Sequence, residues 1–185
     1  MKRVLILICL ASAANAQAVF ELDAAQSRAA FTLSDVLHTV HGVFKVKRGS
    51  IQFDAATGAC SGEIVVDAAS GDSGSGARDK RMHQNVLESQ KFPEISFAPS
   101  KLRGTVNPSG ESKVEIDGFF TIHGAAHPLT ASAIVTITGG QMQAKAHFAV
   151  PYVAWNMKNP STLFLKVGES VDIDLDSTGR VNWPH

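Results

Sequence analysis

Cysteine is almost missing from this chain. It has two, Cys9 and Cys60, and the first falls inside a leader-like segment, so no disulfide framework can staple the fold. Cys60 reads as a small hydrophobe on a strand rather than as a nucleophile. Long apolar runs are missing too: Val4 to Leu10 falls far short of the roughly 20 residues that a membrane-spanning helix needs. Neither charge is in excess, with 17 Lys and Arg against 17 Asp and Glu scattered along the sequence. That argues against nucleic acid as a partner, since nucleic acid recruits a concentrated basic patch. No strand–helix alternation is present, which makes a parallel α/β sheet improbable. The chain also lacks a G-x-S-x-G elbow, a P-loop, an H-E-x-x-H helix and a C-x-x-C-H haem site.

What the N-terminus does have is the layout of a secretory leader. Lys2 and Arg3 form its charged start, Val4 to Leu10 its apolar centre, and Ala14-Asn15-Ala16 an A-x-A cleavage site. Ile8 precedes Cys9 where a lipobox needs a small residue. The expectation is a signal peptide of residues 1–16, cleaved near Ala16/Gln17. A mature domain of residues 17–185 would follow, periplasmic or secreted, with no stable membrane anchor. Losing Lys2 and Arg3 takes the balance to 15 basic against 17 acidic residues, a net charge of −2.

The mature segment alternates with a two-residue period. Val171, Ile173 and Leu175 oppose Asp172, Asp174 and Asp176. Val114, Ile116, Phe120 and Ile122 oppose Lys113, Glu115 and Asp117. Met142, Ala144, Ala146, Phe148 and Val150 oppose Gln141, Gln143, Lys145 and His147. Phe44 and Val46, then Ile51 and Phe53, follow the same rule. Each is a strand with one dry face and one wet face. Thr57-Gly58, Asn107-Pro108-Ser109-Gly110, Gly124 and Gly139-Gly140 mark turns between them. About eight such strands predict an all-β sheet that either packs on a second sheet or closes on itself. The dry faces mix small residues (Ala29, Ala133, Ala144, Ala146, Gly118) with large ones (Phe31, Phe44, Phe53, Phe97, Phe120, Phe148). A barrel with room inside and a barrel filled by side chains fit this mixture equally well.

One segment breaks the pattern. In Arg78 to Phe97, Met82, Val86 and Leu87 recur at helical spacing, Ser75 or Gly76 offers an N-cap, and Pro93 forbids continuation. The spacing predicts a helix over residues 77–89, a lid on the sheet.

The candidate chemistry is thin. Gly71-Asp72-Ser73-Gly74-Ser75-Gly76 is reminiscent of the nucleophile loop of trypsin-like proteases, but the double barrel with its His and Asp that should precede the loop is absent. His38 and His41, and His123 and His127, lie in turn-like segments; His83 and His147 stand alone. None is paired in sequence with a carboxylate that would orient it. A metal site would need three or four converging donors, and none is expected.

Taken together, the motifs resemble the YceI-like family of polyisoprenoid- or lipid-binding periplasmic proteins. The resemblance rests on Phe31 with His38 and V-H-G-V-F (residues 40–44), and on G-S-I-Q-F-D (residues 49–54). It continues through R-D-K-R-M-H with F-P-E-I-S-F, F-F-T-I-H-G-A-A-H-P-L-T (residues 119–130) and V-G-E-S-V-D-I-D-L (residues 167–175). Residues 150–167 depart from the family pattern. The resemblance implies a lipocalin-like, eight-stranded antiparallel barrel with one α-helix near a barrel end, holding a long apolar chain. That chain would be a polyisoprenoid, an isoprenoid quinone or a fatty-acyl compound. It implies no catalytic residues and no cofactor. Phe31, Phe44, Phe53, Phe97, Phe120, Met142, Ala144, Ala146 and Phe148 would then face the ligand. Arg78, His38, His83 or Tyr152 would meet its head group. The competing readings are a hydrolase or isomerase using a His near the mouth, and a packed barrel without a ligand. A homodimer is left open.

Overall fold

The structure is a computed structural model describing residues 17–34, 39–161 and 166–184. Among the described residues, nine antiparallel strands form a single sheet: β1 (Gln17–Leu22), β2 (Arg28–Ser34), β3 (Thr39–Asp54), β4 (Cys60–Asp67), β5 (Glu94–Arg103), β6 (Gly110–Ile122), β7 (Ala125–Thr138), β8 (Gln141–Val150) and β9 (Val171–Asn182). β3 pairs with β4 as well as with β2, so the sheet closes into a barrel. The first two strands share one place in it. β2 lies between the first half of β3 and the first half of β9, and β1 lies between their second halves. Eight strand positions thus carry nine strands, with a short turn at Ala24–Gln26 dividing the split one.

The alternation read in the sequence is the alternation of inside and outside. On β6, Val114, Gly118, Phe120 and Ile122 are buried, while Lys113, Glu115 and Phe119 are exposed. Asp172, Asp174 and Asp176 of β9 face outward, and β9 is paired on both sides. Two hairpins use two-residue turns: Gly139-Gly140 with φ of 56° and 78°, and His123-Gly124 with φ of 52° and 77°. Positive φ at both central residues is what the right-handed twist of the flanking strands requires.

The helix α1 (Gly76–Arg81) continues into a wider turn over Met82–Val86, closed by the Leu87 N–H donating to the Met82 carbonyl at 2.8 Å. The sequence spacing predicts 77–89. The helix ends sooner because Glu88 turns into the left-handed region, φ 46°.

The interior has two parts. One buried cluster holds Phe20, Phe53, Leu102, Val114, Val135, Ile137, Met142 and Val181 with their neighbours. The other holds Phe31, Phe44, Phe97, Phe120, Phe148, Tyr152 and Met157 with theirs, under the helix. Leu22, Ile51, Ile116 and Ala146 pack against both and form a layer between them.

Candidate functional site

The half of the barrel beneath the helix is hollow. It encloses a cavity of about 600 Å³, walled by Phe31, Phe44, Phe97, Phe120 and Phe148 together with aliphatic side chains such as Ile64, Ile95, Val150 and Leu175. Met82, Val86 and Leu87 of the helical segment form one side of its rim. Tyr152, Met157, Pro160 and Val167, from the connection between β8 and β9, form another. The strands place these rings by parity and register: Phe97 lies opposite Phe120, and Phe148 opposite Ile173. The ring centroids of Phe120 and Phe148 are 5.5 Å apart, and those of Phe31 and Phe44 are 5.3 Å apart.

Polar groups are confined to a few places on this wall: Ser73, Ser75, Arg78 and Arg81, with Ser96 and Tyr152. Arg78 donates from Nε to the Ser73 hydroxyl at 2.7 Å and from Nη2 to the Ser73 carbonyl at 2.9 Å. Ser73 in turn donates its N–H and O–H to the Asp79 carboxylate. Desolvation works to raise the Asp79 carboxyl, but the two Ser73 hydrogen bonds, with His83 and Arg78 nearby, hold it below its ordinary range. The serine in the protease-like glycine run is therefore a tether between loop and helix. The Tyr152 hydroxyl donates to the Gly168 carbonyl at 2.5 Å, and burial with Glu169 nearby pushes the phenol upward. Cys60 lies away from the cavity, its thiol pushed up to about 11 by burial, which suppresses the thiolate.

Of the residues singled out from the sequence, Phe31, Phe44, Phe97, Phe120, Phe148, Arg78 and Tyr152 lie on the cavity wall. Phe53, Met142 and Ala144 do not. They belong to the filled half, where the Phe53 ring meets Trp183 edge-on at 5.5 Å. Ala146 lies in the layer between the halves. The inward parity of β8 runs the whole length of the barrel, so alternation names the face of a residue but not its depth. His83 is also off the wall, its ring nitrogens engaged with the Gly71 carbonyl and the Ser89 hydroxyl. His38 lies outside the described residues.

Among the described residues, two histidines have carboxylate partners that the sequence does not show. His147 meets Asp174 at 2.9 Å on the exposed outer face, and His123 meets Glu88. Sequence separations of 27 and 35 residues hide both pairs. Glu88 and His123 each adopt positive φ, and their contact clips the end of the helical segment to the β6–β7 turn, where His123 also lies against Phe92. His127 stacks on Trp155 at 4.1 Å. Neither pair lines the cavity.

The missed wall residues fall into two groups. Ile95, Ile122 and Val150 share parity and strand end with the named phenylalanines, and Arg81 follows Arg78 by three positions on one helix face. Those were within reach of pattern reasoning. Met157, Pro160 and Val167 lie in an irregular connection with no periodicity to read.

A closed antiparallel barrel, hollow and apolar at one end with a helix at its rim, defines a lipocalin-like class whose interior has room for a small apolar guest. The match to the YceI-like domain covers residues 20–178, and the chain belongs to that family. It is 30% identical over 96 residues to a UPF0312 protein of Pseudomonas savastanoi pv. phaseolicola, covering 51% of this chain and 48% of the relative. A UPF0312 protein of Vibrio parahaemolyticus is 31% identical over 96 residues, covering 51% and 49%. The chain thus spans about half the length of the curated relatives it matches. Among solved structures, Burkholderia cenocepacia BcnA superposes with a TM-score of 0.71 at 20% identity, covering 85% of this chain and 99% of that one. A polyisoprenoid binding domain from Saccharophagus degradans, implicated in plant cell wall breakdown, superposes with a TM-score of 0.65 at 13% identity, covering 88% and 98%. These likenesses establish the fold.

Proposed function

We propose that this protein is a carrier that shields a long-chain apolar lipid inside its barrel, rather than an enzyme acting on one. The observation that carries the reading is the hollow half: about 600 Å³ lined almost wholly by apolar side chains, in a barrel whose other half is filled. Removing roughly 300 Å² of chain surface from water is worth about 7 kcal/mol before ordering costs, enough for useful affinity without specific chemistry. The family and the polyisoprenoid-binding neighbour support a lipid ligand: a polyisoprenoid, an isoprenoid quinone or a fatty-acyl compound. The reading as a binder is supported by the wall, where none of the described histidines lies.

The leader-like residues 1–16 support export to the periplasm, where a lipid leaving one membrane needs cover from water. Organic extraction of protein purified from periplasm, followed by mass spectrometry, tests the reading. One equivalent of a long-chain lipid, unchanged on incubation, is the expected result. Protein prepared from periplasm and from lipid-supplemented buffer that yields no lipid in either case would leave a merely hollow barrel.

A further inference from the structure

The wall of the cavity is apolar except at its rim, and among the described residues the charge there is of one sign. Arg78 and Arg81 lie one helical turn apart, and both line the cavity while remaining exposed to solvent. No Asp or Glu lines the cavity among the described residues. Of the four polar residues named for a head group, Tyr152 has spent its proton on Gly168 and His83 is engaged on both nitrogens. His38 is outside the described residues. Arg78 uses two of its nitrogens on Ser73, leaving Nη1. Arg81 makes no hydrogen bond or ion pair among the described residues, so its fork of donors is uncommitted at the mouth.

The depth of the cavity limits the other end of the ligand. The layer of Leu22, Ile51, Ile116 and Ala146 separates the hollow half from the other, and beyond it the barrel is filled. If each methylene-sized group needs ~30 Å³, the share of one water molecule, the cavity of about 600 Å³ takes on the order of 20 carbons. Any longer chain must leave its remainder outside, in water.

Resting on the carrier reading above, we propose that the ligand is a single-chain amphiphile of about 20 carbons with an anionic head, a carboxylate or a phosphate, bound at the mouth by Arg81 and Arg78. A guanidinium presents parallel donors that match either head, which a neutral quinone or alcohol does not exploit.

The test uses delipidated protein and competition against a fluorescent lipid. The head-group probes are oleate against oleyl alcohol, and geranylgeranyl phosphate against geranylgeraniol. Each acid should bind roughly tenfold tighter than its alcohol, the difference one charge-assisted hydrogen bond makes. The carboxylate and phosphate arms tell the two heads apart by which shows the larger preference. Arg81→Gln should bring the ratio toward one, and Arg81→Lys should restore part of it. Lys113→Gln, on the outer face of β6, should leave it as it was. In a saturated fatty-acid series, affinity should rise to about 20 carbons and then level.

If acid and alcohol bind equally well, the head-group proposal fails while the carrier reading stands. Affinity that still climbs well beyond 20 carbons overturns the length. If no probe binds at any length, the carrier reading itself falls, and this proposal with it.

Discussion

Glu94 shows how far single residues control this molecule from its surface. The Arg48 guanidinium and the Lys47 ammonium both donate to its carboxylate, holding it down to about 2. A carboxyl lowered in the folded state contributes stability above its unfolded range, ~4.3, and loses that contribution as pH falls toward 2. Glu94→Gln should therefore melt below the parent at pH 7, and the gap should shrink as pH falls toward 2 and close only below it, as read by thermal melts across that range. Gly42 controls the cavity wall in a different way. A Cβ there would run into the Phe31 ring and the Asp72 carbonyl, so Gly42→Ala should displace the ring and lower the melting temperature by several degrees. The sequence shows Gly42 inside V-H-G-V-F, but not the ring that needs its missing side chain. That contact crosses from β2 to β3 and exists only once they pair.

At the scale of elements, the helical segment is the piece most clearly written in local sequence, and its packing is what the spacing of Met82, Val86 and Leu87 implies. Leu87 is 7% exposed and reaches the cavity. Leu87→Ala should cost about 2–5 kcal/mol, measured as a shift in urea midpoint at constant m-value. A smaller effect would mean that the lid opens without unfolding the barrel. The wider last turn and the early stop at Glu88 are not legible in the local sequence, since the partner of the Glu88 carboxylate, His123, comes from a distant hairpin. The strands follow the parity of their sequences. The division of the first barrel position between β1 and β2 is not legible there, since only pairing partners reveal it.

The whole molecule is a barrel with one filled end and one hollow end, and the two should answer mutation differently. Ile137, 1% exposed in the filled half, should cost about 2–5 kcal/mol on truncation to alanine. Ala146→Phe enlarges a side chain in the layer between the halves. It should shorten the longest fatty-acid chain that gains affinity, with a stability loss of about 1–3 kcal/mol from overpacking toward the filled side. A chain-length optimum unmoved by this change would mean that the layer does not limit the chain. Removing bound lipid should also lower stability, by about 2.7 kcal/mol if the protein normally sees ligand at 100 times its Kd. Calorimetry before and after extraction reads that difference.

By itself the sequence determined the all-β character, the inward face of the strands it marks, a helical segment before Pro93 and the near absence of charge from the interior. All of these follow from local periodicity and side-chain chemistry. Only the tertiary structure decided which inward residues meet a cavity and which meet one another. Phe53 and Phe148 carry the same local signature, yet one is packed against Trp183 and the other faces open space. Depth along a barrel is a sum over eight neighbouring strands, and no single strand encodes it.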